Sequence, residues 1–216
     1  MNIFSIDSPF MRFLGKVADI MILNILYIVC SLPIITIGTS TCAAFNVTKK
    51  LIKGDETFII KDFFFGFKKT FKSSTLSWLI MIFIGFVLIV DFKIAYNLPS
   101  TFKNILHIII AMLGVIYLFT LTYLFQYISN FQNKLFSCFR NSLLLSIAKL
   151  PYTLLFLFFN FLCIFITYVL GLGITGSFWT LFGFAFIIYV NTFIYLKIFN
   201  SINIQTTNKD YKNENS

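Results

Sequence analysis

The sequence predicts an all-α polytopic membrane protein of about five transmembrane helices, the first one broken at Pro33, plus two interfacial amphipathic helices. Three observations lead there. Five apolar runs stand out: Ile20–Val47, Leu76–Val90, Ile105–Ile128, Leu150–Leu172 and Phe178–Phe199. A helix rises about 1.5 Å per residue, so roughly 20 apolar residues cover the ~30 Å hydrocarbon core. Charged residues make up only 12% of the chain and hydrophobic residues 58%, against about 25% charged in soluble domains. Finally, the cations gather in the connectors between the apolar runs, where anionic headgroups meet them. Residues 1–203 read as a single membrane domain. Residues 204–216 read as a flexible polar tail, too poor in apolar area to order itself.

The first run is 28 residues if Ile20 to Val47 is counted inclusively, about 42 Å as a helix and too long for a straight crossing. Pro33 lies inside it and removes a backbone N–H while crowding the carbonyl of Val29. The β-branched stretch Ile34-Ile35-Thr36-Ile37 and then Gly38 follow. Ser31 or Thr36 is placed to satisfy the polar groups freed by the break. Two paths follow: a kinked span that continues across the bilayer, or a re-entrant segment with both ends on one side. The kinked span is the favoured reading. Small side chains come next, Gly38-Thr39-Ser40-Thr41-Cys42-Ala43-Ala44. Helices in lipid approach closest where side chains are small, so Pro33, Thr36, Gly38, Ala43 and Ala44 form a helix-break and packing motif.

With five spans, the 48–75 connector, the 129–149 connector and the tail share one side. They carry thirteen of the 17 Lys and Arg residues. The positive-inside rule then puts the N-terminus outside and the C-terminus in the cytoplasm. The formal charge of +9 is explained by lipid headgroups, and nucleic acid is not an expected partner.

The connector after the first run carries Phe64, Phe67 and Phe71 on one helical face, with Lys68 and other cations elsewhere. Such a helix lies in the headgroup plane. Phe136, Phe139 and Arg140 repeat Phe64, Phe67 and Lys68 at an offset of 72 residues, and Ser146 repeats Ser74. Each set precedes two apolar runs, which suggests repeat units at 58–128 and 130–200.

Polar residues inside the runs are few. Asn24, Asn160 and Asn191 are the deepest, and with Thr167 and Thr192 they are candidates for lining a polar cavity. Interhelical hydrogen bonding is the simpler role for each. Asp19, Asp91 and Lys93 sit at run ends, and His107 is the one histidine, near a run edge. No nucleophile–base arrangement, P-loop or metal-ligand spacing is visible among Cys30, Cys42, Cys138, Cys163 and His107. The expectation is no catalytic residue, no metal and no cofactor.

Leu32-Pro33-Ile34-Ile35-Thr36-Ile37-Gly38, Ala43-Ala44, Lys53-Gly54-Asp55-Glu56, Asp62-Phe63-Phe64, Phe67-Lys68-Lys69-x-Phe71, and Asn141-Ser142-Leu143-Leu144-Leu145 through Leu150-Pro151 together resemble the YesL-like family of bacterial membrane proteins, a domain of unknown function. The resemblance implies a multi-pass protein of the bacterial cell membrane, an accessory of carbohydrate uptake or utilisation. Permease subunits of an ABC sugar importer are its implied partners, beside the lipid bilayer. Two functions follow: a non-enzymatic accessory that contacts other membrane proteins, or a small transporter or permease in its own right. Convergence of the Asn and Thr residues on a mid-membrane cavity would favour the second.

Overall fold

The computed structural model describes residues 9–96, 100–131 and 134–198, with side chains left undescribed at 9–13, 100–102 and 170–175. The tail 204–216 lies outside the described residues. Among those described there is no strand. The helices are α1 (Pro9–Ser31), α2 (Ile37–Lys53), α3 (Ile59–Tyr96), α4 (Ser100–Asn130), α5 (Leu135–Ala148) and α6 (Leu150–Phe178). A π segment, Trp179–Gly183, and a last helix, α7 (184–198), follow. Among the described residues five stretches are long and apolar enough to cross a bilayer: Leu14–Ser31, Ile59–Tyr96, Lys103–Asn130, Leu150–Val169 and Gly176–Ile198.

Two antiparallel pairs form the frame. α3 and α4 pack in opposite directions, with Phe92 against His107 at 4.8 Å between ring centroids and Trp78 against Phe125 at 5.8 Å. α6 and α7 form the second pair. Twelve residues of straight helix cover about 18 Å, whereas the Trp179 indole N–H donates to Thr167 Oγ1 at 3.0 Å. The other end of this pair closes on Tyr123, whose ring lies 5.3 Å from Phe156 and 6.5 Å from Tyr195. One end of the frame therefore holds 92, 107, 167 and 179, and the opposite end holds 130, 153 and 195.

The break at Pro33 is present. α1 stops at Ser31, a 3₁₀ turn covers Ile34–Thr36, and α2 begins at Ile37. Of the two candidates for satisfying the freed groups, Thr36 does so: its Oγ1 is 2.7 Å from the Cys30 carbonyl and 2.8 Å from that of Pro33. The Trp78 indole N–H reaches out to the Ile34 carbonyl at 2.7 Å. The turn faces outward, with Leu32, Ile34 and Ile35 exposed. Asn24 of α1 bonds residues 179, 180 and 185, while Thr48 of α2 bonds Thr192 and Lys49 bonds Asn130. These contacts put Asn24 beside the start of α7 and Thr48 further along it. The two arms overlap sideways at the break, where the hydroxyls of Tyr27 and Thr41 lie 3.4 Å apart.

α2 then packs antiparallel on the first half of α3. It ends at Gly54, whose φ of +79° is the left-handed conformation glycine adopts freely. Asp62 accepts the Phe58 N–H at 3.1 Å in the first turn of α3 and pairs with Lys50 at 2.7 Å, which ties the two helices at the turn.

The first amphipathic stretch is not a separate element. Residues 59–75 run without interruption into the span as the beginning of α3. No Gly or Pro lies between Phe67 and Ile84 to stop the helix. The second stretch is separate: α5 ends at Ala148, and α6 starts at Leu150 with Pro151 in its first turn. Thr153 Oγ1 bridges this break, 2.8 Å from the Ser146 carbonyl and 3.1 Å from that of Lys149.

Burial repeats at the 72-residue offset. Gly66, Thr70, Ser74 and Met81 are buried, as are Cys138, Ser142, Ser146 and Thr153. The packed stripe of α3 (Phe63, Gly66, Thr70, Ser74, Ser77, Met81) lies beside the Phe64 and Phe71 face, which points outward with 42% and 45% of those side chains exposed. Lys68, Phe136 and Arg140 are exposed too, while Phe67 and Phe139 are partly buried.

Candidate functional site

Two polar regions lie within the apolar bundle. The first is the seam between α2 and α3. Gly38, Thr39, Ser40, Cys42, Ala43 and Ala44 are all buried inside the single chain. A Cβ at Gly38 would sit 2.7 Å from Trp78 Cβ, 2.8 Å from Phe125 Cε1 and 2.9 Å from the Ser74 carbonyl, so only glycine allows this approach. Across the seam Thr39 Oγ1 is 2.8 Å from Thr75 Oγ1 and 3.1 Å from Ser74 Oγ, and Ser74 Oγ also donates to the Thr70 carbonyl at 2.6 Å. The small-residue run is thus consumed by packing within the chain.

The second region is a cavity of about 430 Å³ bounded by α2, α4, α6 and α7. Its polar groups are Thr41, Thr122, Gln126, Asn160 and Asn191, and aromatic walls are supplied by Phe45, Phe125, Phe156 and Phe161. Its size falls in the ~300–1,000 Å³ range of small-molecule sites. Asn160 commits an amide donor to the Phe156 carbonyl at 2.7 Å, and Thr122 donates to the Leu118 carbonyl at 2.8 Å. Gln126 and Asn191 are 2% and 9% exposed, and their amide oxygens, Oε1 and Oδ1, have no hydrogen-bond partner. An unpaired buried acceptor costs about 1–3 kcal/mol; Gln126 and Asn191 each carry one, as Ser31, Ser40, Ser77 and Ser142 elsewhere carry buried hydroxyls without a partner. Among the described residues no Asp, Glu, Lys, Arg or His lines the cavity.

The structure brings together two of the three asparagines expected there. Asn160 and Asn191 share the cavity; Asn24 does not. Asn24 is fully buried and bonds the backbone around the π segment instead. Thr167 accepts the Trp179 indole, and Thr192 pairs with Thr48 at 2.8 Å. Gln126 was missed by sequence reasoning, although it is the one Gln within the Ile105–Ile128 run. Pro33 and Thr36 form the break, Ala43 and Ala44 the seam. Among the described residues no three His, Cys, Asp or Glu side chains gather as a metal site, and the four cysteines are free thiols. His107 is held locally, its Nδ1 2.7 Å from the Lys103 carbonyl.

Architecture and site define a class: an all-α polytopic protein with an entry segment broken at Pro33, two antiparallel helix pairs and a cavity lined by uncharged residues. Within that class, residues 20–92 match the family described as "Protein of unknown function, DUF624". The chain is also 31% identical over 147 residues to "Uncharacterized protein YteU" of Bacillus subtilis (strain 168), a stretch that covers 67% of this chain and 65% of that relative. No solved structure matches the chain. The family segment spans the kink, the seam and most of α3. It includes Thr41 and Phe45 of the cavity, while Gln126, Asn160 and Asn191 lie beyond it.

Proposed function

We propose that this protein binds a small, neutral, hydroxyl-bearing molecule in the amide-lined cavity and acts without catalysis in carbohydrate uptake or utilisation. The observation that carries this reading is the convergence of the Asn160, Asn191 and Gln126 side chains on one cavity. Hydroxyl groups both donate to and accept from carboxamides. The apolar C–H face of a pyranose packs on aromatic rings such as Phe125, Phe156 and Phe161. A carboxylate or ammonium ligand would meet no countercharge there, and an unpaired buried charge is costly. The carbohydrate context comes from the YesL-like resemblance. By the same resemblance the site of action is a bacterial cell membrane. The charge distribution supports placing the end that holds Lys50, Lys134 and Lys197 at the cytoplasm.

The convergence favours a small transporter or permease. The test is solute counterflow in proteoliposomes carrying the purified protein, with radiolabelled neutral mono- and disaccharides. Saturable counterflow that is lost in N160A/N191A is the expected result; no counterflow above empty liposomes would remove the transporter reading. The accessory reading draws on a different observation. α5 turns Phe136, 79% exposed, and the Arg140 side chain outward. In that reading α5 contacts permease subunits of an ABC sugar importer. Recovery of those subunits with the detergent-solubilised protein, and their loss in F136A/R140A, is its expected outcome.

A further inference from the structure

Asn24 occupies the hydrogen-bond ladder of the π segment. Its Nδ2 donates to the carbonyls of Thr180 at 2.8 Å and Trp179 at 3.1 Å, and its Oδ1 accepts the Ala185 N–H at 2.9 Å. The side chain is fully buried. It therefore spends both amide hydrogens and its acceptor on the backbone of another helix, and bridges Thr180 C=O to Ala185 N–H across five residues.

A π segment fits one residue more than an α-helix into its turn. One residue of α-helix is about 100° of rotation. The segment therefore sets everything beyond it about 100° away from the face that an uninterrupted α-helix would present. Fixed points lie on both sides. Trp179 is held by Thr167 at 3.0 Å, and Thr192 by Thr48 at 2.8 Å. Asn191 is the neighbour of Thr192, so the register that meets Thr48 also sets the face on which Asn191 meets the cavity. Without the Asn24 amide, the Ala185 N–H in an apolar interior finds its partner by reverting to the α pattern, on the Leu181 carbonyl.

We infer that Asn24 is a positioning residue: by holding the π register it turns Asn191 into the cavity, which it does not itself line. The functional meaning rests on the cavity reading above, but the geometry can be tested with no ligand. The probe is a disulfide between T48C and T192C, whose native hydroxyls touch, identified by peptide mass mapping of the membrane-embedded full chain. In the parent the cross-link forms. In N24A it should fall at least fivefold, because the register slips. Deleting Leu181 removes the extra residue and lets a plain α-helix carry the same phase. In that deletion variant the cross-link should form equally with Asn24 or Ala at position 24. A parent-level cross-link in N24A, or a deletion variant that loses the cross-link, overturns the inference. Should N24A alone not fold, the deletion background decides: a folded, cross-linked N24A there supports the inference, and equal intolerance of N24A there overturns it. A residue that merely fills space would not be made dispensable by shortening another helix.

Discussion

The α2–α3 seam and the cavity are both built from small or polar side chains inside an apolar bundle, yet they have opposite characters. In the seam each threonine and serine of the Thr39–Thr75–Ser74 chain has a partner at 2.6–3.1 Å, and Gly38 leaves no room. In the cavity the polar groups are larger, space remains, and the amide oxygens of Gln126 and Asn191 are unpaired. A hydroxyl in a helix can satisfy itself on the carbonyl four residues back, as Thr48, Thr70, Thr120 and Thr122 do. An amide carries an acceptor that this local bond cannot satisfy. The difference is one of room: the seam, which also buries the unpaired Ser40 and Ser77 hydroxyls, has no space for a partner, whereas the site lined by Asn and Gln has.

The largest expected break in this comparison is at Gly38. G38L drives a side chain into Trp78, Phe125 and the Ser74 carbonyl, and should cost at least about 3 kcal/mol, read as loss of folded monomer in a detergent unfolding titration. T39V is next. It removes the hydroxyl that joins Thr75 and Ser74 and should cost about 1–2 kcal/mol. The cavity predicts the opposite sign. Q126M replaces a side chain whose buried oxygen is unpaired, and should be neutral or stabilising by about 1 kcal/mol in the absence of ligand. A clear loss of stability in Q126M would make Gln126 a seam residue and erase the distinction. The smallest effect is expected at the surface. Lys50 is 44% exposed in its pair with Asp62, so K50A should cost less than about 1 kcal/mol and less still at high salt.

Much of the fold was legible because membrane physics acts on long averages. Run length and cation placement located the spans, and the Pro33–Gly38 stretch announced the break and the close packing after it. Finer features depended on contacts between segments distant in sequence. Whether residues 59–75 stand apart from the span turned on the absence of a helix breaker, and the continuity of α3 replaced the separate in-plane helix expected there. Asn24 reads as a polar residue in a span, but its partners are backbone groups more than 150 positions away at a π segment, which no periodicity encodes. Gln126 sits between Phe125 and Tyr127 in an apolar run. Its role becomes visible only when α4, α6 and α7 line a common space.

The cavity's openness to a neutral hydroxylated partner is tested most directly by thermal stability of the detergent-purified protein against neutral mono- and disaccharides, with glucuronate as the charged control. The account predicts that at least one neutral saccharide raises the melting temperature in a saturable manner. It also predicts that glucuronate does not, and that N160A/N191A removes the shift while remaining folded. A shift of equal size in N160A/N191A, or none in the parent protein with any neutral saccharide, would contradict it.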